Sequence, residues 1–320
     1  MPSLFFDGFE QFDQSRDYNA QMRKADYTIT GQVYTGAGRR NGKCMTTYRS
    51  SISRSVNWVD NILSFGFAMK HTARGGICSL GSINFVLDAD DGAPRFLTAK
   101  GITLPILSRW YYFEVEANKA TRTISFYING KLDGQATLPD NLIDEDHPTI
   151  TLNAFNAKPS LIDDKLQDNA TRMYDDFYIY NGARLSPVQI TTRLPTSDIQ
   201  TQWRVLPDDI THFKAVGTVP TDELNRYIIT HVNNAVDEFG STQKLPDANP
   251  VVAVGALGLV RSATADMCSI DFKVGQRIMN VGNLTPTWHY RYVNWMTDPA
   301  VDTPASVEAA TLSLIAGIGR

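Results

Sequence analysis

Basic charge is in short supply in this 320-residue chain. Its 30 Lys and Arg stand against 34 Asp and Glu, a formal net charge of −4, so the counterion displacement that drives general nucleic-acid binding has no source and no nucleic-acid partner is expected. Cysteine is scarcer still. Cys44, Cys78 and Cys268 are widely spaced and odd in number, which excludes a complete disulfide framework and fits folding in a reducing cytoplasm. The longest apolar run, Val251 to Val260, holds two glycines and falls far short of a membrane span. Met1 to Asp7 lacks the basic segment, apolar stretch and cleavage site of a secretory signal, so a soluble chain without membrane insertion is expected. The five histidines (His71, His147, His212, His231 and His289) show no His-x-x-x-His spacing and no nearby cysteine, which removes support for zinc chemistry. Fixed-period repeats and low-complexity tracts are absent too.

What is abundant is alternation. Up to about Gly182, short β-branched and aromatic stretches recur between Gly, Asn, Asp and Pro clusters. In Thr123–Ile128, residues Ile124, Phe126 and Ile128 share one face, and Asn129-Gly130 then supplies the two positive φ values of a type I′ hairpin turn before Lys131–Leu138. Trp110–Glu116 sets Tyr111, Phe113 and Val115 against Glu114 and Glu116, the pattern of a half-solvated antiparallel strand. Further strands are predicted at Tyr27–Tyr34, Lys43–Ser50, Ile62–Met69, Ile83–Leu87, Arg95–Leu97, Thr149–Asn153 and Asp176–Tyr180. Seven or more such strands with little helical periodicity predict a mainly β chain whose N-terminal domain is two antiparallel sheets packed face to face.

After Gly182 the character changes, and prolines 187, 195, 207, 220, 246 and 250 punctuate short segments. The expected organisation is a sandwich over 1–182, a connector over 183–215 and a smaller β-rich domain over 216–320. Within the last, Val251–Val260 and Ser269–Val274 read as paired strands, and Tyr227–Val232 as a strand. Thr303 and Pro304 open a terminal helix that carries Val307, Ala310, Leu314 and Ile315 on one stripe and stops at Gly317.

Several pieces, in this order, resemble a known group. Gly36-Ala37-Gly38-Arg39-Arg40-Asn41-Gly42-Lys43 is similar to a Gly-Arg-x-Gly turn before an early sandwich strand. Trp110–Val115 followed by Tyr127-Ile128-Asn129-Gly130-Lys131 looks like an aromatic strand and hairpin, and Tyr174–Tyr180 like an Asp-Asp-aromatic closing strand. Leu194-Pro195-Thr196-Ser197-Asp198 with Gln202-Trp203, then His212–Val216, Tyr227 and Asp237-Glu238-Phe239, closed by Asp298-Pro299 and Gly317-Ile318, completes the succession. Together these resemble tailed-bacteriophage virion structural proteins with a laminin-G/concanavalin A-like N-terminal domain and a phage-type C-terminal extension. The resemblance implies a jelly-roll sandwich. It also implies a place on the virion as a tail, fibre-attachment or head-decoration component, made in the host-cell cytoplasm. Other virion proteins and further copies of the same chain are the implied partners, with homo-oligomers following the particle's symmetry. Arg39, Arg40, Trp110 and Asn129 are then framework residues. The chain departs from the pattern near its end, where Thr297-Asp298-Pro299-Ala300 stands in place of an Asn-Pro-x-Thr-Gly-x-x-Trp-like stretch.

Catalytic patterns miss by identifiable residues. Five residues lie between Gly36 and Gly42-Lys43 where a phosphate-binding loop has four, and Cys44 replaces the magnesium-binding hydroxyl. Gly76-Ile77-Cys78-Ser79-Leu80-Gly81 lacks the first glycine of a nucleophile elbow, so Cys78 and Ser79 read as strand residues. Glu114 and Glu116 have the alternation of a glycosidase pair but no third acid along the strand, which favours a solvated face. No catalytic residue is assigned and the chain is expected not to be an enzyme; a glycan hydrolase is the remotest reading. Asp88, Asp90 and Asp91 are candidate calcium ligands at a sandwich loop, the one cofactor considered. Trp203, Trp288 and Trp295 are candidate interface positions, with Tyr290 and Tyr292 nearby, either for subunit docking or for stacking on a host-surface glycan.

Overall fold

The structure is a computed structural model that describes residues 4–12, 17–40, 42–152, 171–217, 225–245, 250–263, 268–298 and 302–318. Asn41, Asn153, Pro220, Pro246 and Pro299 lie outside the described residues. The chain is mainly β and divides into two compact units, Met1–Ile190 and Thr191–Arg320.

The first unit is an antiparallel jelly-roll sandwich. One sheet runs in the order Lys131–Thr137, Thr123–Ile128, Trp110–Asn118, Ile62–His71, Thr171–Tyr180, Lys43–Tyr48 and Val33–Ala37, with Leu4–Asp7 also paired to Thr171–Tyr180. The other runs Ala99–Lys100, Pro94–Phe96, Ile83–Leu87, Gly75–Leu80, Thr149–Leu152, Ser51–Ser55 and Thr28–Thr30. Their inner faces meet through aromatic rings: Phe126 of the first sheet stacks on Phe85 of the second at 5.3 Å and tilts against Phe96 at 5.9 Å, and Tyr174 Oη donates to Ile77 O at 2.7 Å. Burying such rings supplies most of the drive for folding, since each removes 150–250 Å² from water.

The hairpin forms as its residues dictate. Asn129 at φ 50° and Gly130 at φ 80° make the primed turn, and Asn129 Oδ1 also accepts from Tyr112 N at 2.9 Å, tying the turn to the neighbouring strand. Tyr27–Tyr34 is not one strand. A turn at Gly31, φ 78°, splits it into Thr28–Thr30 and Val33–Ala37, which join opposite sheets. The closing strand is broken by a bulge at Asp175-Asp176, where Asp176 adopts φ 51°.

Two expected boundaries move. The sandwich does not end at Gly182: residues 183–190 return over the outer face of the first sheet, where Leu185 and Val188 pack on Tyr112, Tyr178 and Ala68, and Ile190 N donates to Asp176 Oδ1 at 2.7 Å. Residues 191–215 are likewise no connector. They contribute the strands Ser197–Thr201 and Arg204–Leu206 to the second unit.

The second unit is built on a five-stranded sheet in the order Ser197–Thr201, Val236–Gly240, Leu312–Ile318, Cys268–Val274 and Arg277–Asn283, with small ladders Arg204–Leu206/Tyr227–Ile229 and Ala253–Val260/His289–Met296. Val251–Val260 and the strand after Cys268 are therefore not partners of each other. The terminal helix is also shorter than expected. Thr303 caps it, accepting from Ser306 N at 3.2 Å, but Ala310 turns extended at ψ 136° and Leu312–Ile318 runs as a strand between two others. Leu314 satisfies a helical stripe and a two-residue alternation equally. Ladder partners on both edges decide for the strand.

Candidate functional site

The outer face of the first sheet carries the two carboxylates of the hydrolase pattern. Phe113 and Val115 face inward, Phe113 stacking on Phe67 and Phe126 at 5.9 and 5.8 Å, so Tyr112, Glu114 and Glu116 face outward. The solvated reading fails for Glu114, whose side chain is 0% exposed. The returning segment covers it: Arg184 Nη1 lies 3.2 Å from Glu114 Oε2, Tyr178 Oη donates to Oε1 at 3.0 Å, and Arg184 N donates to Glu116 Oε2 at 3.0 Å. The Arg184 guanidinium also sits 4.2 Å over the Tyr127 ring. Burial raises the Glu114 carboxyl above its usual range, against the pull of Tyr178 and Arg184. This is an ion pair that fastens a strap, with Arg184 engaging both carboxylates.

Asp88, Asp90 and Asp91 form a closed turn. Asp88 Oδ1 accepts from Asp90 N at 2.9 Å, Arg95 Nε meets Asp88 Oδ2 at 2.6 Å, and Lys100 Nζ meets Asp91 Oδ2 at 2.5 Å. Arg74 Nη1 takes the Ala89 and Asp90 carbonyls at 2.6 and 2.8 Å. Protein cations thus hold the Asp88 and Asp91 carboxylates, and among the described residues no group of three or more acidic, His or Cys side chains is placed to hold a metal. At the closing-strand bulge, Asp175 Oδ2 accepts from Arg39 N at 2.8 Å and Asp176 Oδ2 from Arg39 Nη1 at 3.3 Å, while Arg39 lies 5.8 Å over the Tyr112 ring. Arg39 is a framework residue there, as expected.

In the second unit, residues far apart in sequence converge on two aspartates. Asp237 is fully buried. Its Oδ1 accepts from Gln202 N and Trp203 N at 2.7 and 2.9 Å, and its Oδ2 lies 2.5 Å from His212 Nδ1. Asp198 accepts from His212 N at 3.2 Å and Phe213 N at 2.6 Å, fixing the short helix His212–Val216. A carboxylate holding an imidazole nitrogen is the orienting half of a catalytic triad. Among the described residues no Ser, Thr or Cys is hydrogen-bonded to His212. Trp203 Nε1 donates to Ala235 O at 3.1 Å. These are the motif residues of the C-terminal succession, and here they act as its hydrogen-bonded frame. The succession singled these residues out, but spacings of 25 to 35 residues carry no motif rule and gave no sign that they meet.

Of the three tryptophans, Trp203 and Trp295 pack against Ile270, Phe272 and Val293 and serve the unit's own core. Trp288 is half-buried at the surface, with Tyr227 edge-on at 6.4 Å and the Arg261 guanidinium 5.0 Å over its ring. Tyr290 is buried, and Tyr292 is partly buried opposite Leu257 in the ladder.

A feature the sequence reading passed over lies in the sandwich, between Lys100 and Ser108. Ile102, Leu104, Ile106 and Leu107 are 82%, 60%, 54% and 45% exposed. The loop is nonetheless fixed: Gly101 N donates to Pro94 O at 2.7 Å, Thr103 N to Asp133 Oδ1 at 2.8 Å, Ile106 N to Tyr111 Oη at 3.1 Å and Ser108 N to His71 O at 2.7 Å. Four backbone anchors hold four aliphatic side chains outward. Single exposed apolar residues are ordinary on a protein surface; here four fall within six residues.

No protein-family model matches this chain, and no curated protein does. Solved structures to which it is similar include domain 4 of AbnA, a GH43 extracellular arabinanase from Geobacillus stearothermophilus, in complex with arabinotriose, at 18% identity over 49% of this chain and 82% of that one, with a TM-score of 0.37. The binding domain of botulinum neurotoxin serotype C1 is 11% identical over 90% and 93% of the two chains, TM-score 0.38. That of botulinum neurotoxin DC in complex with rat synaptotagmin II is 12% identical over 92% and 90%, TM-score 0.36. At these scores the likenesses assign no role to any residue.

Proposed function

We propose that the protein is a non-catalytic structural component of a tailed-phage particle that acts by docking its sandwich onto a neighbouring protein. The observation that carries the reading is the Ile102–Leu107 loop, where a hydrogen-bonded backbone presents four exposed aliphatic side chains that a second protein's apolar recess would remove from water. Two further features support it. The residues that resemble the phage-type extension are the hydrogen-bonded frame of the second unit. The paired acids of the hydrolase pattern are occupied by Arg184 and Tyr178. Reconstruction of intact particles tests the reading: the sandwich is expected with Ile102 and Leu104 against a neighbouring protein. Absence of the chain from particles, or a loop left in solvent there, would overturn it.

A second reading, recognition of a host-surface glycan, is favoured by one observation. Trp288 stays at the surface with Tyr227 and Arg261 around it, while Trp203 and Trp295 turn to the core.

A further inference from the structure

We propose that the Tyr227–Trp288–Arg261 corner of the second unit binds acidic saccharides, an inference that rests on the glycan-recognition reading above. The corner is a product of the register. Ala253–Val260 and His289–Met296 pair with Val260 opposite His289, so Arg261 and Trp288 are the next residues on either side and leave the ladder together. Tyr227, the first residue of its own short strand, brings its ring to Trp288 at an interplanar angle of 67°.

Two kinds of group that a sugar acid needs meet there. Its C–H faces stack on aromatic rings, and Trp288 and Tyr227 are both partly exposed. Its carboxylate takes a planar fork of donors, which is what a guanidinium offers. Arg261 is exposed, and no carboxylate pairs with it among the described residues. In a chain with more acids than bases, where Arg39, Arg95, Arg184 and Arg277 all meet carboxylates, a guanidinium stacked on Trp288 with its donors free of carboxylates suits an anionic ligand.

The test uses the full chain, titrated calorimetrically and by tryptophan fluorescence with sialyllactose and a galacturonate trimer, and with lactose and maltotriose as neutral controls. At least one acidic probe is expected to bind, tenfold or more tighter than either neutral sugar, and more weakly as salt rises. Trp288→Ala and Arg261→Gln should each weaken it tenfold or more. Should Trp288→Ala fail to fold, Arg261→Gln alone carries the test, because its side chain is exposed. Neutral sugars binding as tightly as acidic ones, with loss in Trp288→Ala, would overturn the acidic specificity and leave glycan recognition standing. No binding of any probe, or acidic binding indifferent to both substitutions, would overturn the site.

Discussion

His71 sits fully buried at the end of a central strand, opposite Arg172, with neither ring nitrogen hydrogen-bonded to any described residue. A buried polar atom without a partner forfeits about 1–3 kcal/mol of solvation. Burial, with a smaller contribution from Arg172, depresses the imidazole to about 4 from 6.5. Between those values the unfolded chain binds the proton and the folded chain does not. The neutral imidazole's advantage is therefore complete above pH 6.5 and is lost as pH falls toward 4, by about 2–3 kcal/mol. Burial and Asp176 raise Asp175 to about 7, which works in the opposite sense, removing stability as pH climbs from about 4 to 7. The pH profile of the natural chain mixes the two, so the informative quantity is a difference. His71→Leu is expected to match or exceed the natural stability at pH 7 and to gain about 2 kcal/mol more at pH 4.5. Urea unfolding at both pH values measures it, and an equal loss at both would show that the ring is held by contacts unrelated to its charge.

At the scale of elements, the segment 183–190 illustrates what the sequence conceals. Asn129-Gly130 was legible because its geometry is local: two residues that tolerate positive φ, between alternating strands, permit little else. Trp110–Asn118 was legible only on its inner face. The solvation of Glu114 depends on Arg184, seventy residues later, and no periodicity in either segment reports that they meet. The strand Leu312–Ile318 escaped for another reason, since its apolar residues fit both periods and only its two ladder partners choose. The convergence of His212 on Asp237 and the outward pose of Ile102–Leu107 likewise belong to three dimensions. The strap makes a sharp prediction. Arg184→Met strands a buried carboxylate and should cost about 3–5 kcal/mol, whereas Glu114→Gln beside Arg184→Met should recover most of it, because the buried charge is gone. Chemical denaturation of the four proteins of that cycle measures the coupling. Additive losses would mean that the strap is held by contacts other than the Arg184–Glu114 pair.

For the whole molecule, the question is whether the fold needs the Ile102–Leu107 loop or merely carries it. Inside the sandwich, the aromatic stack of Phe67, Phe113, Phe126, Phe85 and Phe96 fills the space between the sheets without help from the loop. The loop's anchors to Asp133, Tyr111, His71 and Pro94 are made through its backbone, so they survive a change of side chain. A solvent-facing aliphatic residue gains little from folding, since it stays in water in both states. Replacing Ile102 and Leu104 together by serine should therefore leave thermal unfolding within about 1 kcal/mol of the natural chain. Association is different. Each aliphatic side chain buried against a neighbour contributes about 1.5–3 kcal/mol relative to exposure, so losing two should weaken docking by a hundredfold or more. Incorporation of the Ser variant into assembling particles, in competition with the natural chain, compares the two quantities directly. Normal incorporation of a normally folded variant would mean that the docking surface lies elsewhere on the chain, and destabilisation of the free protein would mean that the loop is part of the sandwich core.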